Sequence, residues 1–392
     1  MTSVAIINCP VCGSTDTQEF LRRDNVPVHQ NLVLSSREKA VGIVCGDIVM
    51  KVCLKCGFVF NSAFYESKLS YGADYDNTQS CSRFFARYLS DLAEHLVTIE
   101  DVRHCRIIEV GCGKGDFLRS LVKNQTYDNT GIGFDPSYIG PESDLDGRLR
   151  FKRSFYGNDC AHIPADIVIC RHVIEHVAQP LKLLRAVRQA LRSVKSPRIY
   201  FETPCVEWIL RNHVVWDFFY EHCSLFSTAS LRTAFEQTGF IVNSVRHVFG
   251  GQYLWLEAGV AEDNKVSLDV GIVHELAKLY SEEELRLLKA WRIRIVRLQE
   301  LGPVAIWGAA AKGTTFAYLV DPKCNLVDCL VDLNPKKQGK FVPGTGHKIV
   351  GIDALASRGV KSAILMNPNY REENKNLLAV AESNVQLIER EI

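Results

Sequence analysis

Two pairs of thiols, Cys9-Pro-Val-Cys12 and Cys53-Leu-Lys-Cys56, are each followed by a glycine, Gly13 and Gly57. Two residues between thiols let both sulfurs converge on one ion, and the glycine permits the tight turn that follows. Four thiolates close a tetrahedral shell around zinc and leave no position for water, so the expected zinc is structural and not catalytic. The 40 residues between the pairs exceed the usual ribbon spacing and must fold as a small excursion, in which Cys45 is a weaker alternative ligand. The competing reading is of ordinary buried thiols, or of one redox pair.

A second constellation is glycine-rich. Arg106-Ile-Ile-Glu109-Val-Gly111-Cys-Gly113-Lys-Gly115 follows an apolar run and precedes the helical pattern of Asp116 to Lys123. Strand, glycine loop and helix make an elbow at which the backbone can approach a nucleotide-like cofactor. The loop alone also suits a dinucleotide. Two details narrow it: the acidic Glu109 before the glycines, and Gly131-Ile-Gly-Phe-Asp135, a next strand whose carboxylate comes 26 residues after Glu109. Asp135 is placed to accept the ribose hydroxyls of an adenosine. No Walker lysine-serine ending is present, so ATP hydrolysis is not indicated. Asp166-Ile-Val-Ile-Cys-Arg171-His172-Val-Ile-Glu175-His176 reads as the fourth strand and its loop. Arg171 and His172 are candidates for the cofactor pocket; Glu175 and His176 read as structural. Two further segments carry titratable groups. Glu221 and His222 adjoin in Asp217-Phe-Phe-Tyr-Glu-His-Cys-Ser-Leu-Phe-Ser227, which on its own reads as a helix-entry loop with satisfied polar side chains. Trp307-Gly308-Ala-Ala-Ala-Lys312-Gly313, followed by a strand ending at Asp332, copies a dinucleotide spacing.

Three stretches of different texture must position these groups. Residues 1–75 are loop-rich. Residues 76–262 alternate short apolar runs with helical patterns, the sign of a doubly wound α/β domain. Ser82 to Val97 opens that stretch as a helix with Phe85, Leu89, Leu92 and Leu96 on one stripe, and Ser227 or Thr228 caps a helix over Leu231 to Gly239. After a polar boundary at 261–265, His274 to Leu301 reads as a long amphipathic helix with Leu276, Leu279, Tyr280, Leu285, Leu288, Trp291 and Val296 at helical spacing. A second α/β unit, residues 263–392 with that helix, then begins its strands at Val304.

Composition excludes several classes. Of 392 residues, 47% are hydrophobic and 23% charged, so sizeable cores are affordable and a largely disordered chain is not expected. Lys+Arg is 46 against Asp+Glu 45 with no basic block, which argues against a nucleic-acid partner. No apolar run approaches the ~18 residues of a membrane span. The first eight residues lack the length and basic flank of a signal peptide, and the fourteen cysteines then read as thiols and metal ligands in a cytoplasmic protein.

The run E-V-G-C-G-K-G, the aspartate ending the second strand and R-H-V-I-E-H-V after the fourth resemble the class I S-adenosylmethionine-dependent methyltransferases. That resemblance implies that Gly111, Gly113 and Gly115 line S-adenosylmethionine and that Asp135 holds its ribose, with Glu109, Arg171 and His172 as further candidates for the same pocket. Nearly the whole chain is similar to the zinc-containing sugar C-methyltransferases of deoxysugar biosynthesis: cysteine knuckles, methyltransferase domain, then a Rossmann-like domain with G-A-x-x-K-G and K-x-G-K-x-x-P-G. The resemblance implies structural zinc on Cys9, Cys12, Cys53 and Cys56, and a nucleotide-linked keto-deoxysugar held between the second and third domains, with Lys312 and Asp332 among its contacts. It also implies carbon methylation through an enolate, with His222 as base, Glu221 orienting or polarising it, and Tyr220 near the ketone. The family segment Y-H-E-H-L-S-Y-F-S is altered here: Phe219 replaces a tyrosine, Tyr220 a histidine, Cys223 a leucine and Leu225 a tyrosine. The alternative is O-, N- or C-methylation of a non-sugar small molecule in secondary metabolism; a cofactor-binding protein without catalysis is a third class, opposed by the intact glycines and Asp135.

Overall fold

A computed structural model describes residues 8–70, 81–260, 266 and 268–389. The expected boundaries near residue 75 and at 261–265 lie outside the described residues. Three short strands come first: β1 (Thr17–Pro27), β2 (Cys45–Cys53) and β3 (Val59–Asn61). The middle of the chain supplies β4 (Arg106–Val110), β5 (Thr130–Phe134), β6 (Ser143–Asp144), β7 (Leu149–Lys152), β8 (Ile167–Arg171), β9 (Arg198–Pro204), β10 (Ser224–Leu225), β11 (Phe240–Val248) and β12 (Tyr253–Val260). The last part holds β13 (Val304–Trp307), β14 (Cys329–Val331), β15 (Lys348–Val350), β16 (Ser362–Leu365) and β17 (Gln386–Ile388).

The central sheet has the order β11-β12-β9-β8-β4-β5-β7-β6. Strands β9 through β7 run parallel, and β12 is antiparallel to both its neighbours. Strands β4 and β8 are covered on both faces, which is why Ile107-Ile108 and Ile167 to Cys170 read as continuous apolar runs. The order reverses between β4 and β8, and ligands of open α/β sheets bind where it does. The glycine loop after β4 and the His172 loop after β8 both leave the sheet there. The C-terminal sheet, β15-β14-β13-β16-β17, is parallel throughout, with its reversal at β13, directly before Gly308.

The three stretches do not fold as three separate bodies. β10, from the middle of the chain, pairs antiparallel with β3 and completes the N-terminal sheet β1-β2-β3-β10. One apolar core runs from Phe20, Ile48 and Met50 through Ile209, Trp216 and Tyr220 to Tyr280, Trp291 and Phe316. The helix Val273–Gln299 spans this junction, and it departs from the stripe expected of it. Leu279, Leu285 and Val296 are exposed, while Val273, Ala277, Tyr280, Glu284, Trp291 and Ile295 are buried. The helix packs against elements of two different units, so a single stripe does not describe it. The helix expected over 231–239 runs Thr228–Glu236, with Ser227 and Ser230 forming a capping box. The helix Arg83–Thr98 stands as expected, capped by the Ser82 side chain.

Candidate active site

Two adjoining cavities hold nearly all the groups singled out above. The first, of about 300 Å³, lies at the reversal point of the central sheet and is lined by Glu109, Gly111, Gly113, Asp135, Arg171, His172 and His176 among others. The backbone makes it: Gly111, Gly113 and Gly115 all have positive φ, at 71°, 55° and 79°. A Cβ on Gly111 would lie 2.0 Å from a Val173 methyl, and one on Gly115 2.3 Å from the Phe151 ring. A Cβ on Gly113 would meet nothing within 4 Å, so this residue faces open space where a ligand can approach the chain. Asp135 accepts from the Gly113 amide on one oxygen at 2.8 Å and from the Ser137 amide on the other at 2.8 Å. These bonds fix the carboxylate at the rim while leaving lone pairs for hydroxyl donors. Burial pushes Glu109 up to about 7, and its Oε2 has no hydrogen-bond partner. An aspartate at the rim, an unsatisfied carboxyl and an open glycine face fit the adenosyl and amino-acid ends of S-adenosylmethionine.

Arg171 lines this cleft but spends its guanidinium on Glu202, at 3.2 Å, above the Phe117 ring. His172 bonds Glu202 through Nε2 at 2.7 Å, with Nδ1 3.4 Å from Glu175. Burial opposes charge on this imidazole, yet Glu202 outweighs it, and the pKa is raised to about 9.

The second cavity, of about 270 Å³, is walled by all three parts of the chain: Asn31, the loop after β8, Phe219 and His222, and the Gly308 loop with Lys312, Asp332 and Lys337. His172 and His176 line both cavities and form the wall between them. His222 looks into the second. Its ring stacks on Phe219 at 4.0 Å and stands edge-on to His176 at 4.8 Å, and its nitrogens make no hydrogen bond among the described residues. Burial, with His176, His172 and Lys312 nearby, holds His222 well below the ordinary histidine pKa. This disfavours the charged form of an imidazole that faces a cavity.

The segment that presents His222 is a turn, closed by the His222 amide donating to the Phe219 carbonyl at 3.2 Å. Phe219 and His222 therefore share one side. Two expected roles are corrected by this geometry. Glu221 does not reach His222: its carboxylate accepts from the Gln30 amide at 3.0 Å and faces His29 Nδ1 at 3.4 Å, anchoring the turn to the N-terminal sheet. Tyr220 does not line the cavity. It is fully buried, its hydroxyl accepts from the Tyr65 amide at 2.8 Å, and its ring fills the space beside Gly46, where a Cβ would lie 2.4 Å away. A third correction concerns Glu175 and His176, expected to be structural: both line the second cavity. Their spacing from His172, three and four residues, was the available sign that they could share its side.

The Gly308 loop repeats the geometry of the first. Asp332 accepts from the Ala309 amide at 3.1 Å and from the Asn334 amide at 2.9 Å, as Asp135 does from Gly113 and Ser137. Lys312 is not free: its Nζ bonds Asp217 at 2.6 Å. Lys337, buried, lies 3.8 Å from Asp332.

Away from both cavities, the sulfurs of Cys9 and Cys56 lie 3.7 Å apart and those of Cys12 and Cys53 3.4 Å apart. All four are within 4.8 Å of one another. Zinc–sulfur bonds of 2.3 Å in a tetrahedron require sulfurs about 3.8 Å apart, so the set fits zinc and is closed by protein. Gly13 and Gly57 carry the positive φ, 75° and 68°, that the two knuckles demand. Cys45 stands outside the group, donating to the Ile43 carbonyl.

Residues 75–245 match a methyltransferase domain, and residues 287–388 match a C-methyltransferase C-terminal domain. The chain is 25% identical to the C-methyltransferase NovU of Streptomyces niveus, over 94% of this chain and 91% of that one. Among solved structures it is similar to the 1,6-didemethyltoxoflavin-N1-methyltransferase of Burkholderia thailandensis, at 12% identity, 44% of this chain, 79% of that one and a TM-score of 0.35. It is also similar to the magnesium protoporphyrin IX methyltransferase of Synechocystis, at 15% identity, 47% of this chain, 88% of that one and a TM-score of 0.35. A methyltransferase domain followed on one chain by a C-methyltransferase C-terminal domain is the make-up of an S-adenosylmethionine-dependent C-methyltransferase.

Proposed function

We propose that this protein methylates a carbon next to the ketone of a nucleotide-linked keto-deoxysugar, with His222 as the base. The observation that carries the reading is His222 itself: neutral, without a hydrogen bond, and beside the wall shared by the two cavities. A ketone acidifies its neighbouring C–H bond enough for a positioned imidazole to remove the proton. S-adenosylmethionine supplies a sulfonium methyl, an electrophile that needs no metal. Gly111, Gly113, Gly115 and Asp135 would hold it on one side of the His172–His176 wall. Asp332 and the Gly308 loop would receive the nucleotide part of the substrate on the other, by the same pair of amide-fixed carboxylate oxygens that serves the cofactor cleft. The likeness to NovU, itself a C-methyltransferase, supports carbon as the acceptor. Four cysteines would hold one structural zinc remote from the reaction.

A second reading, methylation of a non-sugar small molecule at oxygen, nitrogen or carbon, is favoured by one feature. Both cavity lysines, Lys312 and Lys337, already face carboxylates, so a pyrophosphate must compete with Asp217 and Asp332 for them. Mass spectrometry of products from a panel of nucleotide-linked keto sugars separates the readings. Solvent deuterium entering the substrate in the absence of cofactor is expected only if a C–H bond is broken by the protein. Methyl transfer to oxygen or nitrogen with no such exchange overturns the first reading.

A further inference from the structure

Glu175 is buried completely at the wall of the second cavity, and only one of its oxygens accepts a hydrogen bond, the other being paired with His172 at 3.4 Å. The Thr203 hydroxyl donates to Oε2 at 3.0 Å, whereas Oε1 makes no hydrogen bond, with His172 Nδ1 standing off at 3.4 Å. The other carboxylates of this cavity are committed on both oxygens. Asp217 is held by Lys312, Asp332 by the Ala309 and Asn334 amides, and Glu373 by the Ser82 hydroxyl and the Arg83 amide. One nitrogen each of His176 and His222 and one oxygen of Glu175 lie within 4.8 Å of one another.

A base that takes a proton here becomes a cation in a buried site already holding charged His172 and Lys312. Such a charge is costly without a counter-charge at short range. We propose that Glu175, and not the adjacent Glu221, is the carboxylate that stabilises the imidazolium formed on His222 during turnover. This rests on the reading of His222 as base. As the substrate C–H bond breaks, its proton goes to His222 and its electron pair into the enolate. That pair then forms the carbon–methyl bond while the methyl–sulfur bond breaks onto sulfur, and His222 later releases its proton to water. Glu175 neither gives nor takes a proton and touches no reacting atom, so it is a positioning residue. The charged and titratable groups around His222 are His172 and His176 from the loop after β8 and Lys312, with its partner Asp217, from the far wall, while a Glu175 oxygen lies within 4.8 Å of its ring nitrogen; Glu221 is turned away.

The test reads His222 directly in the free, full-length protein. Its ring Cε1–H resonance, assigned with His222→Asn, is titrated in the wild type, in Glu175→Gln and in Glu221→Gln. Loss of an opposite charge at this range lowers a histidine midpoint by about one pH unit or more. Glu175→Gln is therefore expected to move the His222 midpoint down by that amount and to lower kcat with KM little changed, while Glu221→Gln leaves the midpoint where it was. An unmoved midpoint in Glu175→Gln, or an equal fall in Glu221→Gln, overturns the proposal. Should Glu175→Gln fail to bind cofactor in calorimetry, Glu175→Asp replaces it, with a smaller downward shift expected and an unmoved midpoint again decisive. Failure of the base reading is seen separately, as a wild-type protein that exchanges no deuterium into any keto sugar.

Discussion

At the scale of single residues, His222 is the proposed base, and its removal should be costly in one parameter only. General-base work contributes roughly 10²–10⁴-fold, so His222→Asn is expected to lower kcat by about that factor while calorimetric affinity for S-adenosylmethionine stays put, because the ring faces the second cavity. Normal turnover in this variant would remove His222 from the mechanism. The histidine on the shared wall makes a different prediction. His172 has a folded pKa near 9, above the ~6.5 of an unfolded histidine, because Glu202 outweighs burial. Its contribution to stability is therefore complete below ~6.5 and lost as pH rises through about 9. Thermal melting should fall between neutral pH and pH 10 by more in the wild type than in His172→Asn, and parallel curves would refute the pairing. Much of the grouping was legible in residue types: Gly111, Gly113 and Asp135 line one cavity, His222 lines the other, and the four cysteines gather within 4.8 Å. Orientation was not. Tyr220 and Glu221 are one and two positions from Phe219, and a single turn, invisible to composition, aims both away from the cavity and Phe219 into it.

Elements carry the next level, because the proposed base is hung from a strand that belongs to another unit's sheet. His222 precedes β10 by two residues, and β10 pairs Ser224 with Phe60 and Leu225 with Val59 in β3. β3 in turn follows the knuckle Cys53 to Gly57, and Phe58 packs on Phe226 with ring centroids 5.0 Å apart. Zinc on the four cysteines would thus fix the sheet that positions the His222 turn, although the cysteines lie outside both cavities. Structural zinc binding is folding energy, so Cys53→Ser is expected to lose the metal, lower the melting temperature and abolish turnover. The glycine loop hangs instead from β4 in the central sheet, so the folded fraction of this variant should still bind cofactor. Metal analysis finding no zinc in the active wild type, or full activity in the metal-free variant, would defeat this. Strands and loops were visible in sequence where burial is two-sided or a glycine is required. The face of Val273–Gln299 was not, because Glu284, a charged residue, sits among its buried positions and three of the expected stripe residues face water.

That buried glutamate leads to the scale of the whole molecule. Arg23 on β1 pairs with Glu284 and donates to the Val215 and Phe218 carbonyls at 2.7 Å each. One guanidinium thus joins the N-terminal sheet, the segment leading to the catalytic turn and the long helix of the C-terminal unit. Further ties run the same way: Leu34 and Phe341 exchange both backbone hydrogen bonds, Thr314 donates to the Gln30 carbonyl, and the Trp216 indole donates to the Met366 carbonyl. A continuous apolar core beneath them means that the N-terminal and C-terminal units cannot unfold one at a time without exposing it. The second cavity, the proposed substrate site, is walled by all of these parts, so stability and substrate binding would share one interface. Glu284→Gln leaves Arg23 buried beside a neutral partner, and breaking a buried pair from one side costs about 3–5 kcal/mol. We therefore expect Glu284→Gln to lower the melting temperature markedly, with Trp216 and Trp291 fluorescence and calorimetric heat reporting one coincident transition. Two resolved transitions, or loss of the C-terminal signal while the N-terminal sheet persists, would mean that the shared core does not couple the units. The second cavity should fail with the pair as well: Asn31 and the Gly308 loop approach it from opposite units, so substrate KM should rise in Glu284→Gln while affinity for the cofactor, expected at the first cavity on the central sheet, is kept.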